Sequence, residues 1–366
     1  MIPLVDLPWQ HTQIEAEILP RLHTAMQRGD FILGHEVASF EAEFAAYVNG
    51  SHCVAVSSGT DALELALRAA RIPKGSHVVI PAFTFVATAA AVVRAGLKPV
   101  LVDVSAPHLL LDPERVAAAL TPKVRAIVAV HLFGQMAPMA ELRTLARSQS
   151  ILLVEDAAQS QGSTHRGHHM GYYSSVAATS FYPGKNLGAY GDAGAIITNC
   201  EPIASRAALL RDHGSESKYS HTVVGTNARM DVLQAIVLRA KLTRLSHWDD
   251  LRRTAAQRYT TMLAGQERVE LPSLADRNAH CWHLYVVRVK SREHIYEAMR
   301  RDSIQVGIHY PTPVHLSPAF RYLGLGLGAF PIAEAAARQV LTLPLYPGIT
   351  VSAQECVVDS LLRALT

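Results

Sequence analysis

Apolar positions along the first two-thirds of the chain follow two alternating patterns. Short, nearly unbroken apolar runs at 53–56, 77–80, 99–102, 126–130, 151–154 and 193–198 predict buried strands. Longer amphipathic stretches at 60–71, 85–95, 113–120, 139–148 and 202–213 predict helices between them. This alternation predicts βαβ units, hence an α/β fold with a mainly parallel sheet flanked by helices. Ligands of such sheets bind beyond the carboxyl ends of the strands. From 231 to about 263 the pattern becomes one long helix, with Val232, Ile236, Val237, Ala240, Leu245 and Trp248 on its apolar stripe. Arg239, Lys241, Arg244, Arg252 and Arg253 also lie on it and read as a solvated or inter-domain face. The remaining residues predict a smaller α+β unit, with a strand at 282–289 and helices near 292–301 and 352–365. The expected division is a large domain of residues 1–250, including an N-terminal helical segment, and a small C-terminal domain of residues 251–366.

Composition narrows the function classes. Hydrophobic residues make up 49% of the 366 positions and charged residues 18%, which excludes a disordered or collagen-like chain. The net charge is +3, too close to balance for a nucleic-acid coat or a polybasic membrane patch. Cys53, Cys200, Cys281 and Cys356 are scattered, which predicts free thiols in a reducing compartment. The first residues lack a basic segment followed by an apolar run, so no secretory leader is expected. The longest apolar stretch, around 85–93, is ended by Arg94, far short of a membrane span. The expected location is the cytoplasm.

No Walker loop is present and no GxGxxG follows a strand, which argues against an NAD-type oxidoreductase. His165, His168 and His169 lie among glycines with no Cys or carboxylate at ligand spacing, and read as an exposed turn; no metal is expected. Three segments carry chemistry. In the first, a strand passes through Ser57-Ser58-Gly59-Thr60 into a helix, whose unpaired first amides suit a phosphate. Plain helix capping, with Asp61 answering the dipole, is the alternative. In the second, a buried strand ends in Glu155-Asp156, where a carboxylate wants a cationic partner. In the third, a strand meets Tyr182-Pro183-Gly184-Lys185, followed by glycines at 188, 191 and 194. A lysine set on a tight turn near an acid is what a Schiff-base enzyme needs. Together an anion site, a lysine and a carboxylate fit pyridoxal phosphate (PLP).

The chain resembles the DegT/StrS family of nucleotide-sugar aminotransferases, which have the PLP-dependent transferase fold type I. The resemblance covers nearly the whole chain. It rests on Ser58-Gly59-Thr60-Asp61-Ala62-Leu63, the run 81–88, Glu155-Asp156-Ala157-Ala158-Gln159, the block 180–194, the run 225–231 and Ile308-His309-Tyr310-Pro311. The chain departs from the usual pattern across 168–175. By this resemblance Lys185 would be the cofactor-linked amine and Asp156 would pair with the pyridine nitrogen. Gln159 would meet the ring hydroxyl or ring face, and Phe85 would stack on the ring. Gly59, Thr60 and Ser180 would hold the phosphate. Asn227 would complete that site from a neighbouring subunit, which makes a homodimer part of the function.

The reaction so implied is a two-stage transamination through PLP and its amine form PMP. L-glutamate would be the amino donor and a nucleotide-linked keto sugar the acceptor. The run 214–221 and His131-Leu132-Phe133-Gly134-Gln135 resemble the subgroup acting on dTDP-3-keto-6-deoxyhexoses. That points to Lys218 of a partner subunit, His309 and Tyr182 as sugar-nucleotide contacts. A 4-keto nucleotide sugar or keto-cyclitol is the alternative substrate, and a non-catalytic PLP-binding regulator the alternative role.

Overall fold

A seven-stranded sheet forms the centre of the computed structural model, which describes residues 1–365. Its first five strands are β1 (His52–Val56), β2 (His77–Pro81), β3 (Lys98–Val102), β4 (Val124–Val130) and β5 (Leu152–Asp156). Val176–Ser180 and Gly194–Thr198 complete it. Across the sheet the order is β1, Gly194–Thr198, Val176–Ser180, β5, β4, β2, β3. Pairing is parallel from Val176–Ser180 through to β3, whereas Gly194–Thr198 runs antiparallel to both its neighbours. The parallel strands therefore deliver the loops after β2, β4, β5 and Val176–Ser180 to one edge.

Strand alternation separates two faces. Val78 and Ile80 pack in one core with Leu65 and Val128, while Val79 between them packs in another with Ile127 and Leu142. The helices follow the chain. Three precede the sheet: α1 (Leu7–Thr12), α2 (Glu15–Arg28) and α3 (His35–Tyr47). Four connect the strands: α4 (Gly59–Ala69), α5 (Val86–Arg94), α6 (Pro113–Ala119) and α7 (Met139–Ser148). After the last strand come α8 (Glu201–Arg211) and the long α9 (Val232–Met262). Phe40, Phe44, Phe181 and Ile236 form the core between α3, α9 and the sheet. A separate core gathers Tyr259, Tyr285, Ile295, Leu343 and Leu361 around a three-stranded antiparallel sheet, with α10 (Arg292–Arg301) and α11 (Val351–Leu365). Among the described residues no helix is long and apolar enough to cross a membrane.

Element boundaries move where the backbone turns left-handed. The helix expected to reach 71 stops at Ala69, because Arg71 has φ 56°. The one expected to reach 213 stops at Arg211, with His213 at φ 56°. The strand expected from 282 begins at Tyr285, because Trp282 has φ 51° and cannot continue a strand. β5 runs past the expected 154, so Glu155 and Asp156 are strand residues facing Ala129 and Val130.

The largest correction concerns the basic residues of α9. α2 and α3 cover part of the helix, so Arg239 and Arg244 meet carboxylates there instead of forming a solvated face, while Arg253 stays exposed. Arg239 bonds to Glu36 (2.6 Å) and Glu43 (2.5 Å), and Arg244 to Glu17 (2.9 Å). Lys241 and Arg252 are each 1% exposed. His165 is also displaced from its expected exposed turn: it is buried in the short strand Thr164–His165, paired with Asn278–Ala279.

Candidate active site

The loops at the carboxyl edge of the sheet enclose a cavity of about 460 Å³. Gly59, Thr60, Phe85, Asp156, Gln159, Ser180, Tyr182, Lys185 and His309 all line it. Residues as far apart in the chain as Leu4 and Tyr310 thus share one space.

The anion end is the start of α4. Ser58 caps the helix, its hydroxyl accepting from the Asp61 N–H at 3.1 Å. The hydroxyls of Ser57 and Ser58 donate to Asp61 Oδ2 at 2.7 and 2.9 Å, and Arg94 donates to Oδ1 at 2.8 Å. Burial pushes the Asp61 carboxyl up, but these bonds outweigh it and leave it below the usual range. Its charge is therefore already answered, and the amides of Gly59 and Thr60 remain as first-turn donors that no helical carbonyl can reach. A side chain at 59 would not fit: its Cβ would lie 2.5 Å from Ser180 Cβ. Gly59 and Ser180 thus bring helix and strand together into a cradle.

Asp156 ends β5. Thr88 Oγ1 donates to Asp156 Oδ2 at 2.7 Å, and the Ala158 N–H to Oδ1 at 3.2 Å. Because a carboxylate only accepts, the Thr88 hydroxyl spends its proton there and accepts from Thr84 Oγ1 at 2.9 Å. This chain fixes the rotation of the carboxylate. Glu155, pointing to the opposite face, bonds His131 Nε2 at 2.7 Å, and both are fully buried. The Ala137 N–H donates to His131 Nδ1 (3.1 Å), so the imidazole proton sits on Nε2 and donates to Glu155.

Lys185 sits on a closed turn. Its N–H donates to the Tyr182 carbonyl and the Ala189 N–H to the Phe181 carbonyl, each at 2.8 Å. Gly188 allows this closure, since a Cβ there would lie 2.2 Å from the Pro183 carbonyl oxygen. Burial lowers the Lys185 ammonium to about 8, with the Asp156 carboxylate pulling the other way. The group is thus still mostly ammonium at pH 7 but gives up its proton near 8, more readily than an ordinary lysine, with the Asp156 carboxylate favouring the charged form.

Gln159 accepts from the Phe133 N–H (2.6 Å) and donates to the Tyr310 hydroxyl (2.9 Å). Phe85 is half exposed at the head of α5, its ring 5.3 Å from that of Tyr310. An aromatic at this position would ordinarily be core; its open face on the cavity suits a flat ligand. His309 Nδ1 bonds Thr342 Oγ1 at 2.8 Å, and burial lowers the imidazole to about 4, so it is neutral. Tyr182 is 58% exposed at the mouth.

Asn227 and Lys218 stand apart from this cavity. Asn227 is exposed and bonds Arg229 (3.2 Å), and Lys218 is exposed over the ring of Tyr219. The site also contains groups that were not singled out from sequence: Thr88, His131, His283 and Tyr310. Thr88, His131 and Tyr310 lie inside quoted motifs, but their partners are 68, 24 and 151 residues away, which no local pattern reveals.

The comparisons with known proteins agree with this geometry. The model of the DegT/DnrJ/EryC1/StrS aminotransferase family matches residues 12–362. The chain is 45% identical over 98% of its length, and 98% of the relative's, to the erythromycin biosynthesis sensory transduction protein EryC1 of Saccharopolyspora erythraea. It is 44% identical to a dTDP-3-amino-3,4,6-trideoxy-alpha-D-glucose transaminase of Streptomyces venezuelae, over 94% of this chain and 91% of the relative. The X-ray structure of S. venezuelae DesV with a ketimine intermediate superposes with a TM-score of 0.97 at 42% identity, covering 100% of this chain and 99% of that one. With a match across almost its full length, the chain belongs to the DegT/DnrJ/EryC1/StrS aminotransferase family, whose members use pyridoxal phosphate.

Proposed function

We propose that the protein transfers an amino group from L-glutamate to the 3-keto position of a dTDP-linked 6-deoxyhexose. The observation that carries this reading is the meeting of Lys185, Asp156 and the Gly59–Ser180 cradle in one cavity. The relative's name, a dTDP-3-amino-sugar transaminase at 44% identity, supports the sugar.

The residues fit the cofactor. Gly59 lets Ser180 close against the helix start, so the Ser180 hydroxyl and the first amides of α4 border the same end of the cavity, which suits a phosphate. Gly59, Thr60 and Ser180 would hold that phosphate, Asp156 would face the ring nitrogen, and Phe85 and Gln159 would bound the ring. Bound there, pyridoxal phosphate supplies an aldehyde that takes up an amino group and a protonated ring that withdraws electrons. Lys185, free base above about 8, would take the proton from the donor carbon and pass it on as an acid within the same half-reaction, and in the second half would deliver a proton to C3 of the sugar. Thr88 keeps the Asp156 carboxylate turned for its task. Neutral His309 and the Tyr182 hydroxyl stand where a sugar enters.

The family resemblance assigns Asn227 and Lys218 to the partner's site in a homodimer, and their exposure outside the cavity of their own chain is in keeping with that. Asn227 completes the phosphate contacts and Lys218 faces the substrate diphosphate. The same reading divides the chain near residue 250, supported by the separate core around Tyr259 and Tyr285, and places the enzyme in the cytoplasm. The test is optical. Protein saturated with PLP should be yellow, and glutamate should bleach it while 2-oxoglutarate appears. A protein that stays colourless with PLP would contradict the reading.

A further inference from the structure

The turn that carries Lys185 is held from behind by α9 and by the segment 281–283. Asn186, next to Lys185, is 1% exposed, and its amide donates to Asp249 Oδ1 at 2.8 Å and to the Cys281 carbonyl at 2.9 Å. Beyond it, the Gly188 carbonyl accepts from Lys241 Nζ at 2.7 Å. Asp249 and Lys241 both belong to α9 and are 2% and 1% exposed.

Each of these groups is expensive to bury. Among the described residues Lys241 has no carboxylate partner. Its ammonium meets the Gly188 carbonyl, the Gln10 side-chain oxygen at 3.4 Å and the ring of Tyr190 at 5.0 Å. Loss of water lowers it to about 8. Asp249 spends one oxygen on Asn186 and leaves Oδ2 without a hydrogen bond, and burial raises its carboxyl to about 7. The fold makes room for it: a Cβ at Gly162 would lie 1.8 Å from Asp249 Oδ2. An apolar side chain at either position would avoid the desolvation cost. Both costly groups are instead directed at the two residues that fix the turn just after Lys185.

We propose that Lys241 and Asp249 are positioning residues that set where the Lys185 amine stands in the cavity. This rests on the reading of Lys185 as the reactive amine. The groups facing that amine are Asp156 from β5, Cys281 and His283 from the segment before Tyr285–Val289, and His309. None of them is altered in the test.

The experiment uses the protein without cofactor or sugar. Trace acetic anhydride is applied across a pH series, and acetylation of the Lys185 peptide is read by mass spectrometry. The wild-type midpoint should fall near 8. K241M and D249A remove the hold, so the amine gains water and the midpoint should rise by about one pH unit toward the ordinary lysine value. D249N removes the same charge but keeps an oxygen for Asn186, and K241Q keeps a donor for Gly188; both should stay close to wild type. Melting curves are recorded for all four. Unchanged midpoints in folded K241M and D249A would overturn the proposal. So would loss of cooperative melting in all four variants, which would make the two residues a requirement for folding. Because no cofactor takes part, a failure of the aminotransferase reading leaves this outcome unaffected.

Discussion

In the proposed reaction Lys185 is the residue on which the chemistry turns. Lys185→Ala should abolish amino transfer while PLP still binds, measured by equilibrium dialysis and by product formation. Capture of PLP by the empty protein needs the free amine, so its rate should rise with pH to a plateau with a midpoint near 8. A profile still climbing above 10 would contradict the burial argument. Gly59→Ala would force a methyl to within 2.5 Å of Ser180 Cβ; the collision should weaken PLP binding at least about tenfold, of the order of an overpacking penalty. Lys185, Asp156 and Gly59 were legible in the sequence because each sits on a local signature: a Pro-Gly turn, a strand-end acid, a strand-to-helix turn. Thr88 and His131 were not, because what makes them matter is a bond to Asp156 or Glu155, reached only through the fold.

At the scale of elements, β5 presents two carboxylates to opposite faces, one to the cavity and one to His131. Glu155→Ala would leave His131 buried without its acceptor and free the Gly171 N–H, which Glu155 Oε1 accepts at 3.0 Å. It should cost about 3 kcal/mol of stability in denaturant unfolding. The parallel sheet was legible from its continuous apolar strands, and its helices from their periodicity. Helix α9 shows why the reading stopped short. Periodicity placed it, but the rule that helix charges are solvated failed for Lys241 and Arg252. Their partners, such as the Gly188 carbonyl, lie in other parts of the chain, and only packing reveals that the helix is covered.

For the whole molecule, His309 is buried neutral at about 4 against an ordinary value near 6.5. The unfolded chain then binds more protons between those values, so stability should fall as pH drops from 6.5 through 4, and fall less in His309→Asn. The shared-site reading makes a sharper prediction. Lys185→Ala and Asn227→Leu should each be inactive alone, yet mixed and refolded together should regain activity, because one site of the hybrid dimer has both its Lys185 and the other chain's Asn227. No recovery in a confirmed hybrid would place Asn227 outside the partner's site. The most direct test of the central claim is to supply ¹⁵N-glutamate with a dTDP-3-keto-6-deoxyhexose and follow the product by NMR. The account predicts ¹⁵N bonded to C3 of the sugar. Nitrogen at C4, or none in the sugar at all, would contradict it.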